Sequence, residues 1–377
     1  MDQVKDKSVQ LIFTSPPYYN LKEYKSLPKK QVGQIPHSPK NFDQSYEAYL
    51  EQMKLTIERS ALLVSLQHVQ SVVERRNTIP ILSNVQLAAD GNELGLMATD
   101  MDIWVHDKTP AEIKQNGTTT APAHMLFDIV RKLPEGSQVE FDTGDGGEQL
   151  RLRSGRSLFT LSCLPVEDFP ATSEGDLACK FQIPASDLRQ LIDKTRFAIS
   201  TEETRYYLNG IYLHAVTDGG APALRAVATD GHRLARVEVD LPEGSANMPG
   251  VIMPRKAILE VRKLLEAVEG LVEVALSETK VRIAVGSAVL TSKLIDGTFP
   301  DYQRVIPEGN SRIMQIDGSA FAEAVDRVST VSSDKSRAIK LSLHSDKLVL
   351  SANSPDQGSA SEELPIAYDS DALDIGF

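Results

Sequence analysis

A unit of about 130 residues recurs along this chain, and no other feature of the sequence constrains the fold as strongly. Three segments open the copies: KLTIERSALLVSLQHVQSVV from Lys54, FQIPASDLRQLIDKTRFAIS from Phe181 and MQIDGSAFAEAVDRVSTVSS from Met314. Each starts as a short alternating strand. Each then carries apolar residues three and four apart: Leu62, Leu63, Leu66 and Val69; Leu188, Leu191 and Ile192; Phe321, Ala324, Val325 and Val328. That spacing predicts a helix with one buried face. Ser186 and Ser319 are the expected N-caps.

A paired-strand segment follows each helix: IPILSNVQLAADGNELGLMATD, RYYLNGIYLHAVTDGGAPALRAVATD and RAIKLSLHSDKLVLSANSPD. Alternating apolar residues around a turn rich in Asp, Gly and Asn predict a β-hairpin. Two copies continue with a second helix, PAHMLFDIVRKLPEG from Pro122 and PRKAILEVRKLLEAVEG from Pro254, with proline early and glycine past the end. Both then close on matching phrases, LSCLPVEDFP and TSKLIDGTFP, which place Phe169 and Phe299 130 residues apart. The third copy reaches Ile375-Gly376-Phe377 after its first helix and hairpin, so it is expected to lack a second helix and about four strands. The expected fold is α+β, with each complete unit packing two helices on antiparallel sheet. The domain boundaries expected are 1–52, 53–176, 177–308 and 309–377.

Composition narrows the class. No apolar run is long enough to span a membrane as a helix, and MDQVKDKS lacks the apolar stretch of a signal peptide. Two cysteines, Cys163 and Cys179, exclude a disulfide framework and fit a cytoplasmic protein. A net charge of −12 argues against nucleic acid only if charge is spread evenly, because the contact surface alone decides. The Pro254 segment is basic, with Arg255, Lys256, Arg262 and Lys263 against Glu260 and Glu266.

From Met53 onward the motifs RNTIPILSN, TRYYLNGIYL, VATDGHRLA, VIMPRKAILE and TSKLIDGTFPDYQRVIP closely resemble the bacterial β sliding clamp family, the beta subunit of DNA polymerase III. The resemblance implies a head-to-tail dimeric ring around double-stranded DNA, helices lining the hole and sheets outside. It implies no catalysis, no cofactor and no metal. Its partners would be the clamp loader, the polymerase III catalytic subunit and other proteins carrying a clamp-binding motif.

By position, Arg76, Arg205, Tyr206, Tyr207 and Arg255 match the family's DNA-contacting residues. Arginine forks phosphate oxygens, and exposed tyrosine stacks on bases. Leu208, Thr229, Gly231, His232, Arg233, Leu234, Pro300, Arg304 and Val305 match one wall of its partner-peptide pocket. The other wall belongs to the later part of the family's third domain, without which peptide binding should be weak. Thr330 and Val331 match dimer-interface positions; a homodimer is expected if the third domain is complete. From sequence alone, Tyr206 and Tyr207 also read as opposite faces of a strand.

Residues 1–52 lie outside this pattern. There VQLIFTSPPYYNLKEY resembles the start of an amino-group DNA methyltransferase, of the N4-cytosine or N6-adenine type. In that family Ser15, Pro16, Pro17 and Tyr18 would form the turn that holds the exocyclic amine of a flipped base. The Gly-rich loop for S-adenosylmethionine has no counterpart in residues 53–377, so methyl transfer is not expected. The alternatives to a clamp are thus a site-specific DNA methyltransferase or a non-functional chimera of the two. The apolar run before the turn is also a candidate to pair with an open edge of the third repeat. Two decoys fall away: DTG at Asp142–Gly144 reads as a hairpin turn, and His232 has no nucleophile at a matching spacing.

Overall fold

The computed structural model describes residues 12–13, 52–144, 147–172, 177–217, 221–332 and 338–376. Of the N-terminal segment it describes one strand, β1 (Ile12–Phe13). The turn Ser15–Tyr18 and most of the segment 1–52 lie outside the described residues.

The first repeat runs β2 (Lys54–Glu58), α1 (Arg59–Gln70), β3 (Asn84–Asp90), β4 (Glu93–Thr99), β5 (Ile103–Pro110), β6 (Glu112–Gln115), β7 (Gly117–Pro122), α2 (Ala123–Lys132), β8 (Gln138–Asp142), β9 (Gln149–Ser154) and β10 (Ser157–Ser162). The second runs β11 (Cys179–Pro184), α3 (Ala185–Asp193), β12 (Gly210–Val216), β13 (Ala223–Thr229), β14 (Arg233–Asp240), β15 (Val251–Pro254), α4 (Arg255–Leu264), β16 (Leu271–Leu276), β17 (Lys280–Val285) and β18 (Ala288–Lys293). The third has β19 (Met314–Gln315), α5 (Gly318–Ser329), β20 (Lys340–Leu343), β21 (Lys347–Ser354), β22 (Gly358–Pro365), β23 (Ala367–Tyr368) and β24 (Leu373–Gly376). The expected α+β architecture is present, and every described strand pair is antiparallel.

The chain divides into two compact units, Met1–Val305 and Ile306–Phe377. In the larger unit an eight-stranded sheet, ordered β11-β16-β17-β18-β5-β4-β3-β7, runs through both repeats. Its seam is β18 on β5, in a register from Val289↔His106 to Ser292↔Ile103. Two five-stranded sheets, ordered β10-β9-β8-β2-β6 and β1-β14-β13-β12-β15, take the remaining strands of the two repeats together with β1. The helices pack in pairs, α1 on α2 and α3 on α4. Leu62, Leu66 and Val69 of α1 and Leu188, Leu191 and Ile192 of α3 are buried, as the spacing predicts. Each such aliphatic side chain contributes about 1.5–3 kcal/mol by leaving water. The smaller unit packs α5, through Ala324 and Val328, on Leu348, Leu350 and Leu364 of the sheet β22-β21-β20-β24.

The helix starts differ from expectation. Ser186 lies inside α3, whose N-cap is Pro184, and Ser319 lies inside α5, whose N-cap Asp317 accepts from Ala320 N at 2.8 Å. At α5 an aspartate two residues earlier outcompetes serine because its charge also favours the helix N-terminus.

An inward position of β5 is polar. Asp107 is buried beneath α1, where His68 Nδ1 lies 2.8 Å from its Oδ2. Burial works against its charge, but hydrogen bonds from His68, Ser287 and Ser65 hold its carboxyl below the ordinary 3.8. A lowered carboxylate pKa stabilises above the unfolded value and loses that contribution as pH falls through the folded value. Asp107→Asn should therefore reduce stability by about 1–3 kcal/mol at neutral pH. The deficit should shrink below pH 3.8, where the wild type loses the same contribution. Thermal unfolding from pH 7 to 3 checks this.

Candidate functional site

One turn organises the proposed pocket residues of the second repeat. Thr229 ends β13 and Arg233 starts β14. Thr229 Oγ1 donates to Arg233 O at 2.8 Å and accepts from Gly231 N at 3.1 Å. Asp230 Oδ1 accepts from His232 N at 2.9 Å and from Arg233 N at 3.0 Å, while Oδ2 takes Arg233 Nε at 2.9 Å. Gly231 has φ of +89°, a conformation glycine adopts without penalty. The first repeat builds the same turn from Thr99, Asp100 and Met101, the last at φ +78°.

Strand parity then sets the face. Thr229 and Leu234 are direct partners, on the side of the sheet that carries Val227, Arg225, His214 and Tyr212. Phe299 stacks on Tyr212 on that side, with centroids 4.9 Å apart. Tyr302 Oη sits 3.0 Å from His214 Nε2 and accepts from Arg225 Nη1 at 2.7 Å. Tyr302 thus pins the one-turn helix Tyr302–Val305 to the sheet, and Pro300, Arg304 and Val305 are left exposed beside it. Leu208 and Leu234 are buried, whereas His232 and Arg233 are exposed.

Two contributors escaped the sequence reading. Phe197 is an exposed aromatic whose ring lies 5.7 Å from the Arg233 guanidinium. Asp230 holds the whole turn. Its signal was present in sequence, because TD precedes the third hairpin strand in both complete repeats. Asp230→Ala should cost about 1–2 kcal/mol and free Arg233. Backbone amide exchange at His232 and Arg233 should quicken at least tenfold, which hydrogen-exchange mass spectrometry reads.

The proposed DNA residues divide into two groups. Tyr206 and Tyr207 lie in the short helical stretch Glu203–Leu208, which kinks at Arg205, rather than on a strand. The strand reading therefore fails: the prolonged alternation begins only at Gly210. Tyr206 is 54% exposed and meets Tyr207 edge-on at 5.8 Å. Arg205 is committed to Glu202, with Nη2–Oε1 at 2.7 Å and Nε–Oε2 at 2.8 Å. The Gly210–Pro254 pairing brings Arg255 next to this segment, and Arg255 N donates to Asn209 O at 2.9 Å. At Gly210 a Cβ would meet Met253 O at 2.2 Å, so only glycine permits that approach.

The basic helix α4 is less positive than its composition. Lys256 bonds to Asp100 and lies 3.1 Å from Glu74, Arg262 lies 2.8 Å from Asp193, and Lys263 lies 2.8 Å from Glu260. Among the described residues, no carboxylate lies within ion-pair distance of Arg76 or Arg255, and Arg76 is exposed in the bend after α1. In the smaller unit, Thr330 is exposed at the end of α5 with its hydroxyl on Asp326 O, and Val331 packs partly against that unit's core. Among the described residues there is no cluster of potential metal ligands and no helix long and apolar enough to cross a membrane.

Family models describe each repeat in turn. The DNA polymerase III beta subunit N-terminal domain matches residues 53–173, its central domain 182–301 and its C-terminal domain 303–377. The beta sliding clamp of Caulobacter vibrioides is 52% identical over 325 residues, covering 86% of this chain and 87% of that protein. The beta sliding clamp of Pseudomonas putida is 41% identical, with the same two coverages, 86% and 87%. Among solved structures, a sliding clamp from Bartonella birtlesii bound to griselimycin superposes with a TM-score of 0.83 at 51% identity, covering 86% of this chain and 87% of that one. Model, sequence and structure agree across all three repeats, and from Met53 onward the chain belongs to the DNA polymerase III beta subunit family, the beta sliding clamps.

Proposed function

We propose that this chain is a sliding clamp subunit, a non-catalytic processivity factor that encircles duplex DNA in the cytoplasm and tethers the replicative polymerase to it. The carrying observation is the repeat itself: strand, helix and hairpin recur in all three copies, and each copy matches a clamp domain. The repeats are assigned to 53–176, 177–308 and 309–377. In a ring, retention comes from topology, so weak phosphate contacts suffice and suit sliding. Arg76 and Arg255 supply the free positive charge, with Arg205, Tyr206 and Tyr207 beside Arg255. The turn Thr229–Leu234 together with Leu208, Pro300, Arg304 and Val305 receives linear peptides of the loader, the polymerase and other clamp-binding proteins. Thr330 and Val331 belong to the homodimer interface.

The test is loading onto nicked circular DNA by a clamp loader, followed by gel filtration. Clamp should co-elute with the circle and be lost after linearisation; equal retention on both would defeat the reading. The segment 1–52 is read as a methyltransferase-like fragment on the strength of TSPPY alone. Labelled S-adenosylmethionine should transfer no methyl group to DNA, and turnover abolished by Tyr18→Ala would establish the enzyme instead.

A further inference from the structure

The strand β1 sits on the edge of β14, not on the third repeat where an open edge was expected. Its register is Ile12↔Leu234 and Phe13↔Arg233. Aligning the turns Thr99-Asp100 and Thr229-Asp230 makes Ile103 and Trp104 of β5 the counterparts of Arg233 and Leu234 of β14. In the first repeat those residues pair with Ser292 and Thr291 of β18, also antiparallel. Phe13 and Ile12 therefore occupy the places on β14 that Ser292 and Thr291 occupy on β5.

The backbone chemistry agrees. Arg233 N and O are both engaged on the turn side, with Asp230 and Thr229. In an antiparallel strand the next residue points its N–H and C=O the other way, so Leu234 presents both to the edge. Beyond Leu234, β14 has no strand partner on that side among the described residues. An open edge of this kind is a template for another strand. The run Val9-Gln10-Leu11-Ile12-Phe13 is rich in β-formers.

We infer that the β14 edge is a strand-docking site whose occupant is this chain's own N-terminal segment, anchored through Ile12 and Phe13 in the inter-repeat position. The segment then acts as a strand supplied in cis, as β18 is supplied to β5. Because Arg233 and Leu234 belong to both the docking register and the peptide-binding turn, occupancy of the edge fixes one side of that turn.

Phe13 and Arg233 form the non-hydrogen-bonded pair, whose close Cα approach suits a disulfide. In the full chain, Phe13→Cys with Arg233→Cys should oxidise to an intramolecular disulfide, mapped by peptide mass spectrometry. Its yield should exceed tenfold that of Phe13→Cys with Arg236→Cys, three residues out of register. Ile12→Pro removes the N–H of the hydrogen-bonded pair. Exchange of the Leu234 amide should then quicken at least tenfold, with the cores of the repeats unaltered. Equal yields for the two cysteine pairs, a disulfide formed only between two molecules, or unchanged Leu234 exchange would each overturn the inference.

Discussion

Tyr302→Ala is expected to destabilise the larger unit by about 3–5 kcal/mol, the range for truncating a buried aromatic. Tyr302 is 5% exposed and holds two groups at once. Arg225 is buried, and although burial works against its charge, Tyr302 and Glu238 stabilise the guanidinium and raise its pKa. His214 is held neutral mainly by burial, which pushes its pKa down. Removing the phenol leaves Arg225 Nη1 and His214 Nε2 without their shared oxygen and opens a cavity beside Phe299. Tyr302→Phe separates the two effects. It keeps the ring and should cost about 1–3 kcal/mol, the penalty for buried polar groups left unpaired. Each kcal/mol lowers Tm by about 2–4 °C in a unit of this size, so calorimetry distinguishes the variants. The functional consequence follows from geometry. Tyr302 holds the segment bearing Arg304 and Val305 to the sheet face that also carries Thr229 and Leu234, so, on the proposed peptide-binding role of these residues, Tyr302→Ala should weaken binding of a clamp-binding peptide at least tenfold. An unchanged affinity, measured by fluorescence anisotropy below the variant's Tm, would separate the pocket from this pin.

Much of this architecture was legible in sequence because it is local. The 3.6-residue spacing of Leu62, Leu66 and Val69 and the alternation through Val85, Leu87 and Ala89 report which faces are buried. Repetition strengthened the reading, since Phe169 and Phe299 close two units at the same point and both are buried. What escaped depends on partners distant in the chain. The charge of α4 looked available for phosphate, yet Lys256 is held by Glu74 and Asp100, and Arg262 by Asp193. No local pattern reveals that these side chains meet. The helical segment at Tyr206 and Tyr207 escaped for a different reason: its hydrogen bonds span three residues and leave no lasting period.

That neutralisation sharpens where DNA contact must arise. If composition governed binding, Lys256 and Arg255, adjacent on α4, would contribute alike. The geometry separates them. Lys256 is held between two carboxylates contributed by the first repeat, and its pKa is raised: burial opposes the charge, but Asp100 and Glu74 outweigh it. Lys256→Ala should therefore loosen the joint between the two repeats, seen as a lower Tm, and change DNA affinity little. Arg76 and Arg255 carry no such partner among the described residues, so each has its full charge to give a phosphate. Each phosphate contact adds about 0.9 to the slope of log K against log salt. The double variant Arg76→Ala/Arg255→Ala should flatten that slope by about 2 and weaken binding to a short duplex about 10–100-fold at 50 mM salt. The affinity deficit should shrink toward high salt, where counterion release no longer favours the complex, and the Tm should stay within about 2 °C because neither side chain has an ion-pair partner among the described residues. A slope unchanged in the double variant but flattened by Lys256→Ala would show that the carboxylates release Lys256 when DNA arrives, and would move the contact surface from the two free arginines to the joint between the repeats.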